Sequence, residues 1–149
     1  MPITDYYGLG LTTGDQPAHA YNVGVGALLR LHGGALEAVS RAVALDPTFA
    51  LGHAALALLG HEFCAPVDVE RRLDAARLHA RRSTPRERSH VHAVDRHVHG
   101  DPAPLLRHLE QWPADALLLS VAMPTIAFTG ATTVPAQAIT VDGDEISLG

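Results

Sequence analysis

The sequence predicts an all-α protein built of stacked helical hairpins, and three observations carry that prediction. The segment Ala35–Pro47, ALEAVSRAVALDP, places Ala35, Val39, Ala42 and Pro47 at successive spacings of four, three and five. Antiparallel helices that approach closely need a small residue where their backbones nearly touch, and a proline beyond it because proline cannot continue a helix. Helix-start signals recur at Thr84-Pro85-Arg86-Glu87, which offers an N-cap, a proline at the first helical position and a capping-box glutamate, and at Asp101-Pro102. Finally, 47% of the 149 residues are apolar but only 5% are aromatic. One domain of this size must then build its core mainly from Ala, Leu and Val, which suit close helix packing better than a wide sandwich.

The elements follow in order. Residues 1–15, rich in Gly and Thr, read as an irregular lead-in. A first helix is expected from about Pro17 to Leu31, with Tyr21, Val25 and Leu28 at i, i+4 and i+7, and Gly33-Gly34 ends it. Its partner is Ala35–Leu45. After Pro47 a third helix runs from Phe49 to Gly60, and a fourth from Val67 to Arg82 with the stripe Val69, Leu73, Ala76 and Ala80. Pro85 opens a fifth that should end at Gly100, and Pro102 a short sixth to about Gln111. Ala114–Gly130 is an almost wholly apolar seventh helix interrupted by Pro124. Residues 131–149 read as an irregular tail in which Asp142-Gly143, between Ile139–Val141 and Glu145–Leu148, suits a short terminal hairpin. The domain plan is therefore lead-in 1–15, helical repeat domain 16–130 and tail 131–149.

The offsets within Ala35–Pro47 are those that close a tetratricopeptide repeat, so the fold class expected is tetratricopeptide-like helical hairpin repeats, a fragment of an α-solenoid. Pro47 to Pro85 is 38 residues and Pro85 to Pro113 is 28, against a repeat of about 34. The loop around Cys64 is thus long and the third unit short. Within that unit the packing positions fall on Val91, Val94 and Val98, an i, i+3, i+7 stripe.

Several segments together, DYYGLGLTT at 5–13, ALEAVSRAVALDPTFALGHA at 35–54, STPRERSHV at 83–91, LEQWPADALLL and PTIAFTGATTVPAQA, resemble the tetratricopeptide repeat protein 38-like family over about residues 5–138. The resemblance implies an all-helical repeat fold of unassigned function and supplies no catalytic residues. After Gln137-Ala138 the family's pattern continues as helix, whereas this chain reads ITVDGDEISLG, as a truncated or frameshifted member would.

Composition narrows the function classes. All eleven basic residues are Arg and 16 are acidic, for a net charge of −5, which disfavours general attraction to nucleic acid or an anionic membrane. Cys64 is the only cysteine, expected as a lone buried thiol, and the absence of a disulfide pair fits a cytoplasmic setting. No segment reaches the roughly 18 apolar residues of a membrane span. The interleaved charges of 68–88 read as intrahelical pairs. No GxSxG, HExxH or phosphate-loop motif is present.

Two readings of function follow. In the leading one the chain is a non-catalytic tetratricopeptide-type scaffold that needs no cofactor and binds a protein or peptide through its concave face. There Ser89, His92, Arg96 and His99 form a polar wall opposite an apolar one of Leu51, Ala54 and Leu58, with His61 at its end. In the alternative, a metal- or histidine-dependent small-molecule enzyme, His92, Asp95 and His99 share one arc of a helix and supply ligands, with His53, His61 or Glu62 completing the set. The apolar helix of 116–128 is further expected to leave an exposed patch through which the chain self-associates.

Overall fold

The computed structural model describes residues 2–129, and among these the chain forms seven helices and no β-sheet. The helices are α1 (Asp15–Leu29), α2 (Ala35–Leu45), α3 (Ala50–Phe63), α4 (Val69–Ala80), α5 (Pro85–Val98), α6 (Ala103–Gln111) and α7 (Ala116–Thr129). The expected terminal hairpin and tail lie outside the described residues.

Boundaries match the sequence where a cap or a left-handed glycine sets them. Gly34, at φ 95°, opens α2, and Thr84 with Glu87 forms the expected capping box of α5. The fourth helix starts two residues later than expected, because the Asp68 side chain accepts the Arg71 amide and caps it there. The third helix runs past Gly60 to Phe63 and stops at Cys64, which sits in the left-handed region. Gly60 is a packing residue instead: a Cβ there would lie 2.7 Å from Val69 Cγ2, so its hydrogen lets α4 close on α3. Gly24 does the same for α1 and α2, where a Cβ would meet Val39 Cγ2 at 2.5 Å. The seventh helix continues through Pro124, which costs it one backbone bond without ending it.

The most extensive helix contacts join sequence neighbours, α1 with α2, α3 with α4 and α5 with α6, and α3 and α5 also pack together. Contacts between α1 and α7 go beyond the sequence-neighbour pattern expected of the repeats. Ala42 is fully buried, as the tight-crossing argument requires, and Val91 and Val94 are buried on α5 with Val98 partly so.

The central helix is α3, whose residues Ala50–Leu59 are all buried. Leu51, Ala54 and Leu58 are therefore core and do not form the apolar wall of an open groove. A helix that is apolar on every side, with α2, α4 and α5 packed on it, cannot also face solvent. Phe49 and Tyr21 meet edge to face beside it, with ring centroids 5.1 Å apart.

The lead-in is bound into this core. Asn22 on α1 accepts from the Tyr6 amide and donates to the Thr4 carbonyl, Thr12 reaches Glu87 through both its amide and hydroxyl, and Thr13 donates to Asp46. On α7, Leu117, Leu118, Val121 and Ala122 are buried while Leu119 and Met123 are exposed. Cys64 is exposed, not buried, because the left-handed turn that ends α3 carries it to the surface.

Candidate functional site

Three places in the fold gather chemistry. The first is a buried polar network where α5, α6 and the start of α7 meet. Arg86, Ser89 and His90 come from the first two turns of α5, His108 from the end of α6, and Asp115 immediately precedes α7, its carbonyl accepting the Leu119 amide. One oxygen, Asp115 Oδ2, lies 2.7 Å from His90 Nδ1, 2.8 Å from His108 Nε2 and 3.4 Å from an Arg86 nitrogen. Arg86 also donates to the Gly10 carbonyl at 2.7 Å, and Ser89 Oγ stands 2.7 Å from His108 Nδ1.

Burial works to raise the Asp115 carboxyl, but the His90 charge, the hydrogen bonds from His108 and His90 and the Arg86 guanidinium outweigh it and hold the group well below the usual carboxylate range. Tyr21 nearby is pushed up, by burial first and then by the Asp115 charge. His90 is completely buried, and its Nε2 has no hydrogen-bond partner among the described residues. Ser89, His108 and Asp115 thus form a hydroxyl–imidazole–carboxylate chain, the arrangement that activates a nucleophile when a substrate can reach the hydroxyl.

Sequence reasoning reached Ser89 but missed Arg86, His108 and Asp115. A signal was available, since His108 shares the apolar stripe of α6 with Leu105 and Leu109, and Glu87 and His90 share that of α5 with Val91 and Val94. A polar residue on such a stripe must find partners inside.

The four residues read as one binding wall do not converge. Ser89 turns to His108 on α6, whereas His99 Nε2 lies 2.9 Å from Glu70 on α4. His92 is exposed, and Arg96 lies 3.8 Å from Asp101. The alternative ligand set is likewise incomplete: His99 Nδ1 is 3.3 Å from Asp95 Oδ1, but His92 does not join them. Asp95 instead pairs with Arg77 at 2.6 Å. The His99 imidazole is raised by its bond to the Asp95 carbonyl, then by Glu70.

The second place is the surface where α3 and α5 end. His97 Nε2 is 2.8 Å from Glu62 Oε2, and His61 Nε2 is 3.5 Å from the same oxygen. The His61 and His97 rings meet edge on at 5.6 Å.

The third is a cleft of about 400 Å³ between the end of α4 and the starts of α3 and α5, lined by Thr48, Ala50, Leu78, His79, Arg81, Arg82 and Ser83, with Thr12 and Glu87 at its lead-in side. Among the described residues neither Arg81 nor Arg82 has an acidic partner within salt-bridge distance. Leu78 is 55% exposed, and no side chain caps the amides that open α3 at Ala50. Two acidic groups at this region accept hydrogen bonds, Glu87 in the lining from Thr12 and Thr84, and Asp46 from Thr13 and the lining residue Thr48.

No family model, curated protein or solved structure matches this chain.

Proposed function

We propose that the protein is a non-catalytic, tetratricopeptide-type module that binds an acidic peptide segment of a partner protein in the cleft of Arg81 and Arg82. The observation that carries this reading is the cleft itself, in which two guanidinium groups without an acidic partner among the described residues stand beside an exposed leucine, the hydroxyls of Thr12, Thr48 and Ser83, and the positive end of α3. Guanidinium groups bind carboxylates through paired hydrogen bonds, and a helix N-terminus favours the same charge. The pairing of sequence neighbours and the packing of α3 on α5 support the repeat type. The docking face moves from the wall of Ser89, His92, Arg96 and His99 because the apolar half of that groove is core.

With a net charge of −5 the whole molecule repels an acidic ligand at long range, so recognition depends on the local arginines and is sensitive to salt. The test is fluorescence anisotropy with a labelled Asp/Glu-rich peptide carrying one leucine. Replacing both residues, Arg81→Glu with Arg82→Glu, removes charge-assisted bonds that after solvent screening total about 1.5 kcal/mol, and should weaken binding roughly tenfold. Equal binding by the reversed variant would overturn the proposal.

A second reading, a histidine-dependent hydrolytic enzyme, is favoured by one observation, the Ser89–His108–Asp115 chain at 2.7 and 2.8 Å. Ser89 lines neither the cleft of Arg81 and Arg82 nor a second one of about 490 Å³ between α1 and α2, around His19, Val23 and Arg41. Covalent labelling by a fluorophosphonate that is lost in Ser89→Ala would establish this reading, and no labelling would dismiss it.

A further inference from the structure

We infer that His61, Glu62 and His97 form a binding site for a divalent transition ion of the zinc type, which ties α3 to α5. His61 and Glu62 occupy the last turn of α3 and His97 the last turn of α5, and the packing of these two helices brings their ends side by side. The three ligating atoms all lie within 4.8 Å of one another. A tetrahedral ion bound at about 2.0–2.2 Å from each ligand holds those atoms roughly 3.4 Å apart. Glu62 Oε2 is already 2.8 Å from one imidazole and 3.5 Å from the other, so only small rotations of surface side chains separate this arrangement from a coordination shell.

A hydrogen-bonded histidine–glutamate pair accounts for His97 and Glu62. It does not account for the second imidazole, whose Nε2 is turned toward the same carboxylate oxygen while its ring abuts His97. Two imidazoles with one carboxylate select zinc-like ions over magnesium or calcium, which prefer all-oxygen shells. Three protein ligands leave a fourth position for water, and the exposure of His61 and Glu62 gives the ion an entry path.

The competing clusters are less suited because each contains an arginine. In the buried set of His90, His108 and Asp115, Arg86 stands 3.4 Å from the carboxylate oxygen a metal would need. At Asp95 and His99 that role falls to Arg77 at 2.6 Å. A guanidinium on the ligand oxygen opposes a divalent ion by charge and occupies its lone pairs.

The test is calorimetric titration of tag-free protein with zinc chloride, paired with thermal melts with and without zinc. One ion per chain should bind and raise the melting temperature, because an ion held between α3 and α5 stabilises only the folded state. His61→Gln, Glu62→Gln and His97→Gln should each lower affinity at least tenfold and abolish the thermal shift. If His97→Gln disturbs the helix contact, His61→Gln, at the more exposed of the two imidazoles, decides the matter alone. Absence of binding up to millimolar zinc would overturn the inference, as would binding that survives these substitutions and is lost in His108→Gln or His99→Gln.

Discussion

Replacing Asp115 by alanine should be among the most damaging single substitutions in the described fold. Its residue is 3% exposed, and its Oδ2 is the common acceptor for His90, His108 and Arg86. Deleting the carboxylate strands all three donors. The histidines can shed a proton, but Arg86 cannot, and it keeps only the Gly10 carbonyl. Removing one partner of a buried ion pair typically costs about 3–5 kcal/mol, because the remaining charge is left without compensation. For a chain of this length each kcal/mol shifts the melting temperature by about 2–4 °C, so the drop should be about 6–20 °C. Thermal melts followed by far-ultraviolet circular dichroism at pH 7 measure it directly. A double-mutant cycle with Arg86→Met should show strong coupling, the pair of changes costing less than their sum.

The acid limb gives an independent check. Because the folded carboxyl is held below its unfolded value, its stabilisation is present above about pH 4 and is lost as pH falls through the folded value. Asp115→Ala should remove part of that acid sensitivity. A loss of less than about 1 kcal/mol at pH 7, with no coupling to Arg86, would refute the view that this network holds α5, α6 and α7 together.

Further outcomes follow from the packing and from two histidines. Ala42→Leu should cost about 1–3 kcal/mol by overpacking a fully buried crossing, and Gly24→Ala should destabilise although alanine is the better helix former, because its Cβ would collide with Val39; thermal melts of both variants check this. His53 is held neutral chiefly by burial, donating from Nε2 to the Pro47 carbonyl while Arg72 donates to Nδ1, and its value is lowered. Its contribution should therefore be complete above about pH 6.5 and lost as pH falls below that, the opposite sense to His99, and proton resonance titration of the two imidazoles should separate them in that order. If the exposed Leu119 and Met123 mediate self-association, Leu119→Lys with Met123→Lys should shift sedimentation toward monomer, and a wild-type protein already monomeric at high concentration would dismiss that interface.

The helices were legible in the sequence where local chemistry decides them. The capping box at Thr84–Glu87 and the alanine spacing of α2 act within a few residues and fell where expected, whereas Gly33-Gly34, expected to end α1, follows a helix already closed at Leu29 and Gly34 opens α2 instead. The end of the third helix, expected at Gly60, lies three residues further on, because a glycine that ends a helix and one that admits a neighbour look alike until the neighbour's position is known. The groove failed for the same reason. Leu51, Ala54 and Leu58 occupy plausible wall positions on α3 taken alone, and only the packing of three helices around α3 makes them core. The Asp115 network joins residues up to 29 positions apart on α5 and the approach to α7, and Arg86 further reaches Gly10 across 76. Periodicity can flag His90 and His108 as polar residues on buried stripes, but it cannot name their shared acceptor. The cleft of Arg81 and Arg82 was hidden because alternating charges along 68–88 suggested pairing throughout, whereas Arg77 finds carboxylates on α4 and α5 and Arg81 and Arg82 find none among the described residues.

The most direct test of the proposed function is to map where an acidic peptide docks, by amide chemical-shift changes in uniformly labelled protein during titration. Saturable shifts should concentrate at Thr48–Ala50 and Leu78–Ser83, around the cleft, and should disappear in the Arg81→Glu, Arg82→Glu protein while its remaining spectrum is unchanged. Shifts centred on His92, Arg96 and His99, or none at peptide concentrations in the millimolar range, would contradict the account.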